Sequence, residues 1–71
     1  MQANSKLMDL VEGGLDRVPD VARFLGLSRS RVYSLMDAGQ LAYVKIGRSR
    51  RIPHRAVVEL AAKSLVTQGR D

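Results

Sequence analysis

The tripeptide Gly26-Leu27-Ser28 separates two short amphipathic segments, and this spacing constrains the fold more than any other feature of the sequence. In the segment before it, Pro19 suits a first helical turn, and Gly26 can adopt the left-handed conformation that ends a helix. Ser28 is a preferred N-cap residue for a second helix, which Gly39 ends. Two helices joined by so short a turn predict a helix-turn-helix, the unit that places its second helix in the major groove of DNA.

Each predicted helix has an apolar side and a polar side. At about 100° per residue, the inward residues are Val21, Phe24 and Leu25 in the first helix and Val32, Leu35 and Met36 in the second. The outward side of the second helix is polar and bordered by positive charge. We expect it to contact DNA through Ser28, Arg29, Ser30, Arg31, Tyr33 and Ser34.

A small β-hairpin is predicted after the second helix. Residues 41–46, LAYVKI, alternate as a strand does, GRSR interrupts them, and Pro53 prevents a long continuation. We predict a hairpin with its tip at residues 47–50, where glycine allows a tight turn, and with Arg48 and Arg50 pointing in one direction. The residues expected to contact DNA are Lys45, Gly47, Arg48, Ser49, Arg50 and Arg51.

Arginine is the side chain that this hairpin would need for a narrow minor groove. Its flat, weakly hydrated cation enters the strongly negative potential there more readily than lysine does. The alternative is that the charges only discourage edge-to-edge pairing of exposed strands, for which one or two would suffice.

A third helix is predicted over residues 54–68, with Val57, Leu60, Ala61 and Ser64 on its core side. An apolar edge beside them is a candidate contact between neighbouring copies on DNA, or packs against the N-terminal segment. It consists of Val58, Ala62, Leu65 and Val66. Weaker phosphate contacts are expected from Arg23, His54 and Arg55, although His54 also fits an ordinary surface position.

A chain of 71 residues supports one small domain, because at this size folding hides only about 60% of the surface of the unfolded chain. We predict a mainly α fold with a small β-hairpin wing, that is, a winged helix-turn-helix, over residues 15–67. Residues 1–14 are predicted to be a tail or a short helix, with a frayed terminus favoured, and residues 68–71 a tail.

Positive charge is concentrated in the middle of the chain. Residues 29–55 hold seven of the twelve Lys and Arg and one of the seven acids, Asp37, which gives +6 there and −1 elsewhere. A local excess of this kind is typical of an anion-binding surface, and nucleic acid is the leading partner.

Other classes of protein fit the composition less well. The sequence has no cysteine and a single histidine, His54, so no metal site is expected. It also contains no catalytic triad and no phosphate-cradling glycine loop, so we expect neither an enzyme nor a cofactor. No apolar run approaches the roughly 18 residues that span a membrane, so we expect a cytoplasmic protein. Single-stranded RNA readers usually offer more stacking aromatics than Tyr33 and Tyr43. A protein adaptor would leave the basic region unused, and salt dependence of binding distinguishes it.

Two segments also carry a family resemblance. VARFLGLSRSRVYSLMDAGQL and YVKIGRSRRIPHRAV resemble the excisionase branch of the MerR-like winged-helix family, in which an LG-x-S-R-x-x-V-Y turn precedes a G-R-x-x-R-I-P wing. The resemblance covers about Val18 to Leu60, and Pro19 departs from it, since many related proteins have an acid there.

The resemblance implies a double-stranded DNA-binding protein of a bacteriophage or mobile element. Many such proteins are recombination directionality factors, which bind and bend an attachment site so that a partner integrase excises the prophage. They typically act as several copies on adjacent sites, which here implies self-association on the bacterial nucleoid. The family also includes small transcriptional repressors and activators, and that role stays open.

Overall fold

The computed structural model describes residues 8–66, which contain four helices and three short strands. Residues 8–12 are helical (α1), where the sequence favoured a frayed terminus, and the predicted tails at 1–7 and 68–71 lie outside the described residues. The other elements are β1 (Leu15–Asp16), α2 (Val18–Leu25), α3 (Arg29–Asp37), β2 (Val44–Ile46), β3 (Ser49–Pro53) and α4 (His54–Lys63). None of the helices in this range is long and apolar enough to cross a membrane.

The turn between α2 and α3 forms as predicted. Gly26 adopts φ 70°, in the left-handed region, and the amide of Leu27 donates to the carbonyl of Ala22 at 2.8 Å. The side chain of Ser28 accepts a hydrogen bond from the backbone N–H of Arg31 at 3.1 Å, so it is the N-cap of α3. The left-handed conformation of Gly26 and the side chain of Ser28 therefore fix the two ends of the turn.

The sheet has the order β1-β3-β2, and both pairings are antiparallel. β1 is absent from the sequence prediction, and β2 covers only half of the predicted strand at residues 41–46. The hairpin turn is Gly47 and Arg48 alone, because Ser49 and Arg50 already pair with Ile46 and Lys45. Gly47 has φ 64° and no other residue has a positive φ within the turn, as in the type II′ turns that suit right-twisted hairpins.

The core lies between the helices and the inner face of β3. The buried residues are Val18, Val21, Ala22, Val32, Met36, Leu41, Ile52, Ala56 and Val57, with Leu25, Leu35 and Leu60 packed against them. Phe24 was predicted to be inward and is 57% exposed, since Val18, Val21 and Ala22 form the buried side of α2.

The last helix is shorter than predicted. α4 ends at Lys63, and the hydroxyl of Ser64 donates to the carbonyl of Leu60 at 2.8 Å just beyond it. Ala61 and Ser64 are exposed, so only Val57 and Leu60 of the predicted core side contact the core. The fold is the predicted winged helix-turn-helix, mainly helical with a small antiparallel sheet.

Candidate nucleic-acid interface

The outward side of α3 faces solvent and does not pack against the core. Its side chains Arg29, Ser30, Arg31, Tyr33 and Ser34 are all exposed, while Val32 and Met36 hold the opposite side in the core. Ser28 is exposed as well, but its hydroxyl is already engaged as the N-cap. The helix therefore presents two small hydroxyl side chains between arginines, a surface narrow enough to enter a major groove.

The hairpin carries its cations in two different environments. Lys45 and Arg48 are exposed, and Arg48 occupies the turn next to Gly47. Arg50 and Arg51 on β3 are half-buried. Arg48 lies in the turn, whereas Arg50 lies on β3 and forms an ion pair with Asp37.

Arg50 links the hairpin to α3, the second helix of the helix-turn-helix, which we also call the recognition helix. Its Nη1 donates to Oδ1 of Asp37 at 3.2 Å. The same guanidinium lies 5.3 Å from the ring centroid of Tyr33 and 4.7 Å from that of Tyr43. Both distances are within the range of cation–π attraction. We call Arg50, Asp37, Tyr33 and Tyr43 the Arg50 cluster.

The Arg50 cluster also changes the charge that the interface presents. Asp37 is the single acid between residues 29 and 55, and its side chain is 65% exposed, at the end of the helix that would enter DNA. A carboxylate there would repel phosphate, and the guanidinium of Arg50 offsets that repulsion.

His54 is held by the body of the domain. Its Nδ1 lies 2.8 Å from Oδ2 of Asp16, its ring meets that of Phe24 edge-on at 5.5 Å, and its backbone N–H donates to the carbonyl of Gly14 at 2.9 Å. The first backbone N–H of α4 therefore donates within the protein and is not available to a phosphate. Of the other residues expected to make weaker phosphate contacts, Arg55 is exposed, and Arg23 donates to Asp20 at 3.2 Å.

The predicted apolar edge is exposed, but only Val58 and Ala62 lie on α4, because that helix ends at Lys63 and Leu65 and Val66 follow it. We call the four residues together the apolar edge of α4. Val58 is 45% exposed, Leu65 72% and Val66 76%, and Ala62 is exposed too. Val58 borders an open cavity of about 400 Å³ whose other walls include Asp9 and Leu10 of α1. Val58 and α1 therefore border the same open cavity.

Arg17 was not among the predicted site residues, and it lines a second cavity of about 400 Å³ together with Arg48, Arg50 and Arg51. Arg17 lies 31 positions before Arg48, and the pairing of β1 with β3 and the packing of α2 against β3 bring the two regions together. A two-residue strand leaves no periodicity to detect, so no signal in the sequence links these arginines.

Comparison with known proteins agrees with this geometry. Residues 17–64 match the model of a helix-turn-helix domain family, and the chain belongs to that family of DNA-binding proteins. More particularly, the chain is excisionase-like: it is 41% identical over 51 residues to a "Probable excisionase" of Saccharopolyspora erythraea. That alignment covers 72% of this chain and 52% of the relative, so the chain spans about half of the relative's length. No solved structure matches.

Proposed function

We propose that this chain is an excisionase, a recombination directionality factor that binds and bends attachment-site DNA and directs an integrase toward prophage excision. The observation that carries the proposal is the 41% identity to the "Probable excisionase", over a stretch long enough to contain both the helix-turn-helix and the wing. Its setting is the cytoplasm of the bacterial host, where the nucleoid is.

The recognition helix supplies the sequence-specific contacts. Ser30 and Ser34 reach the base edges from the middle of the exposed side of α3. Arg29, Arg31 and Tyr33 contact phosphates at the groove edges, and either arginine can instead bind a guanine through two hydrogen bonds. Ser28 contributes by holding the start of the helix.

The wing supplies contacts to the backbone and the minor groove. Arg48, exposed in the hairpin turn, contacts the phosphates at the edge of the minor groove, while Gly47 and Ser49 let the backbone approach closely. Lys45 and Arg51 bind phosphates, and Arg50 positions the wing. Arg23, His54 and Arg55 add weaker phosphate attraction from α2 and α4.

Neighbouring copies assist each other through the apolar edge of α4. Burial of Val58, Ala62, Leu65 and Val66 against a second copy on an adjacent site would remove exposed apolar surface from water. Binding of the second copy then resembles an intramolecular event, which raises the apparent affinity without any new DNA contact.

A gel-shift experiment tests the proposal. Purified chain is titrated onto attachment-region DNA at two salt concentrations, with a shuffled duplex of equal length as the control. We expect a salt-sensitive ladder of increasingly retarded complexes, followed by integrase-dependent excision in a reconstituted reaction. A single complex on a short promoter-like palindrome, with no effect on excision, would instead identify a small transcriptional regulator. No shift at low salt would contradict DNA binding itself.

A further inference from the structure

A cavity lined by four arginines, which we call the arginine cavity, lies between α2, α3 and the wing. Its walls include Arg17, Arg48, Arg50, Arg51, Ser49 and Tyr33, and its volume is about 400 Å³. No acidic side chain belongs to this lining. Its arginines come from three separate parts of the chain: the residue before α2, the hairpin turn and β3.

The arginines differ in whether their guanidinium groups already make hydrogen bonds or ion pairs within the protein. Arg50 is paired with Asp37, and Nη1 of Arg51 donates to the carbonyl of Arg50 at 3.0 Å. Arg17 and Arg48 are exposed, and neither makes a side-chain hydrogen bond to any residue between 8 and 66. Two guanidinium groups, with five N–H donors each, are thus available to an anion in the cavity.

The hairpin also carries a like-charge pair that an anion would relieve. Lys45 lies directly opposite Arg50 in the antiparallel register of β2 and β3. Like charges in opposed positions destabilise a sheet, and the carboxylate of Asp37 offsets only one of these two cations. A second negative charge beside the hairpin is therefore favourable.

The backbone at the start of α2 contributes little to this cavity. Pro19 has no N–H, and the N–H groups of Asp20 and Val21 both donate to the carbonyl of Arg17 at 3.0 Å. These N–H groups are not available to an anion, which is held mainly by the side chains of Arg17 and Arg48.

We propose that this cavity binds a phosphate of the DNA backbone, on the strand that passes between the recognition helix and the wing, and that Arg17 is its principal ligand with Arg48. The proposal rests on the proposed DNA-binding function and adds a contact from outside both the recognition helix and the wing. Planar guanidinium groups bind phosphate through paired N–H donors, which is why arginine suits this position.

Salt dependence of binding tests the assignment without knowledge of the target sequence. The wild-type chain, Arg17→Ala, Arg17→Lys and Lys63→Ala are titrated onto one mixed-sequence 20-base-pair duplex over a range of salt concentrations. Lys63 is a matched control, since it is an exposed cation in the last turn of α4 and does not line the cavity. Loss of one phosphate contact lowers the log–log salt slope by about 0.9.

We expect that lower slope for Arg17→Ala, and a wild-type slope for Arg17→Lys and Lys63→Ala. A wild-type slope for Arg17→Ala, or an equal fall for Lys63→Ala, would overturn the cavity assignment and leave the proposed function standing. Absence of salt-dependent binding by the wild type would overturn both.

Inorganic phosphate distinguishes backbone phosphate from a free anion. It should displace the duplex no better than chloride does at equal ionic strength. Displacement by phosphate at much lower ionic strength, lost in Arg17→Ala, would mean that the cavity takes a free anion and not the DNA backbone.

Discussion

The guanidinium of Arg50 lies 3.2 Å from the carboxylate of Asp37, so the second wing strand is bound to the end of the recognition helix. The two residues are 13 positions apart, and the aromatic rings of Tyr33 and Tyr43 lie against the same guanidinium. In the proposed complex the distance between α3 and the wing must match the spacing of adjacent grooves, and this cluster restrains that distance.

Replacement of Arg50 by alanine should therefore act on stability as well as on DNA binding. Two cation–π contacts at about 0.5–1 kcal/mol each and a partly exposed ion pair at under about 1 kcal/mol predict a loss of about 1–3 kcal/mol in the free energy of unfolding. Urea denaturation measures it. A double-mutant cycle with Asp37→Ala should give a non-zero coupling energy, and strict additivity would contradict the link.

Replacement of Arg48 by alanine should weaken DNA binding without a loss of stability. Because Arg48 is exposed in the hairpin turn, the melting temperature should stay within the range of ordinary surface substitutions. Affinity should fall for many DNA sequences, and the log–log salt slope should decrease by about 0.9. Fluorescence anisotropy at several salt concentrations measures both. An unchanged slope would exclude the wing tip from DNA binding.

Ser34→Glu tests the orientation of α3. Ser34 is exposed on the outward side of the helix, so a carboxylate there should abolish entry into the groove by repulsion from phosphates, with little change in melting temperature. Met8→Glu, at an exposed position of α1, adds the same charge outside α3 and the hairpin and should retain binding. Retained binding by Ser34→Glu would mean that this side of α3 does not face DNA.

Ser28→Ala tests the cap of the recognition helix. Removal of the hydroxyl that accepts from the N–H of Arg31 should cost about 1 kcal/mol, or about 4–8 °C in melting temperature for a domain of this size. Ser30→Ala is the control, since its side chain makes no hydrogen bond to the described residues. Equal melting temperatures for the two variants would show that the cap does not contribute to stability.

Val58→Asp tests the apolar edge of α4. The side chain is 45% exposed, so the variant should fold and bind a single site normally, while its cooperativity on tandem sites should fall. Val58→Thr, nearly equal in shape, should retain more of that cooperativity. Quantitative gel shifts on one-site and two-site duplexes measure the effect, and an equal loss on both would assign Val58 to the core.

The local signals in the sequence predicted the helix-turn-helix well. Gly26, Ser28 and Gly47 act through the conformation or hydrogen bonding of their own turn, so residue type alone was sufficient. Phe24 was misplaced because a helical wheel gives a direction and not the extent of a thin core. In this small domain Val18 and Ala22 occupy the space that an inward Phe24 would have filled.

The parts of the site that could not be predicted depend on contacts between distant segments. β1 is two residues long and exists through its pairing with β3, so it has no pattern of its own. The position of Arg50 depends on side chains of α3 and of the segment before β2, and the arginine cavity depends on the packing of the start of α2 beside the hairpin. Each requires the tertiary fold before the residues can be seen as neighbours.

The pairing of β1 with β3 also determines when this molecule becomes complete during synthesis. Asp16 contacts His54 across 38 positions of sequence, so the first strand leaves the ribosome long before its partner does. Contacts of such long range form late in folding, because the loop between them must close first. The helix pair can form earlier, but the pairing of β1 with β3 and the contact between Asp16 and His54 form only after β3 and the start of α4 have been made.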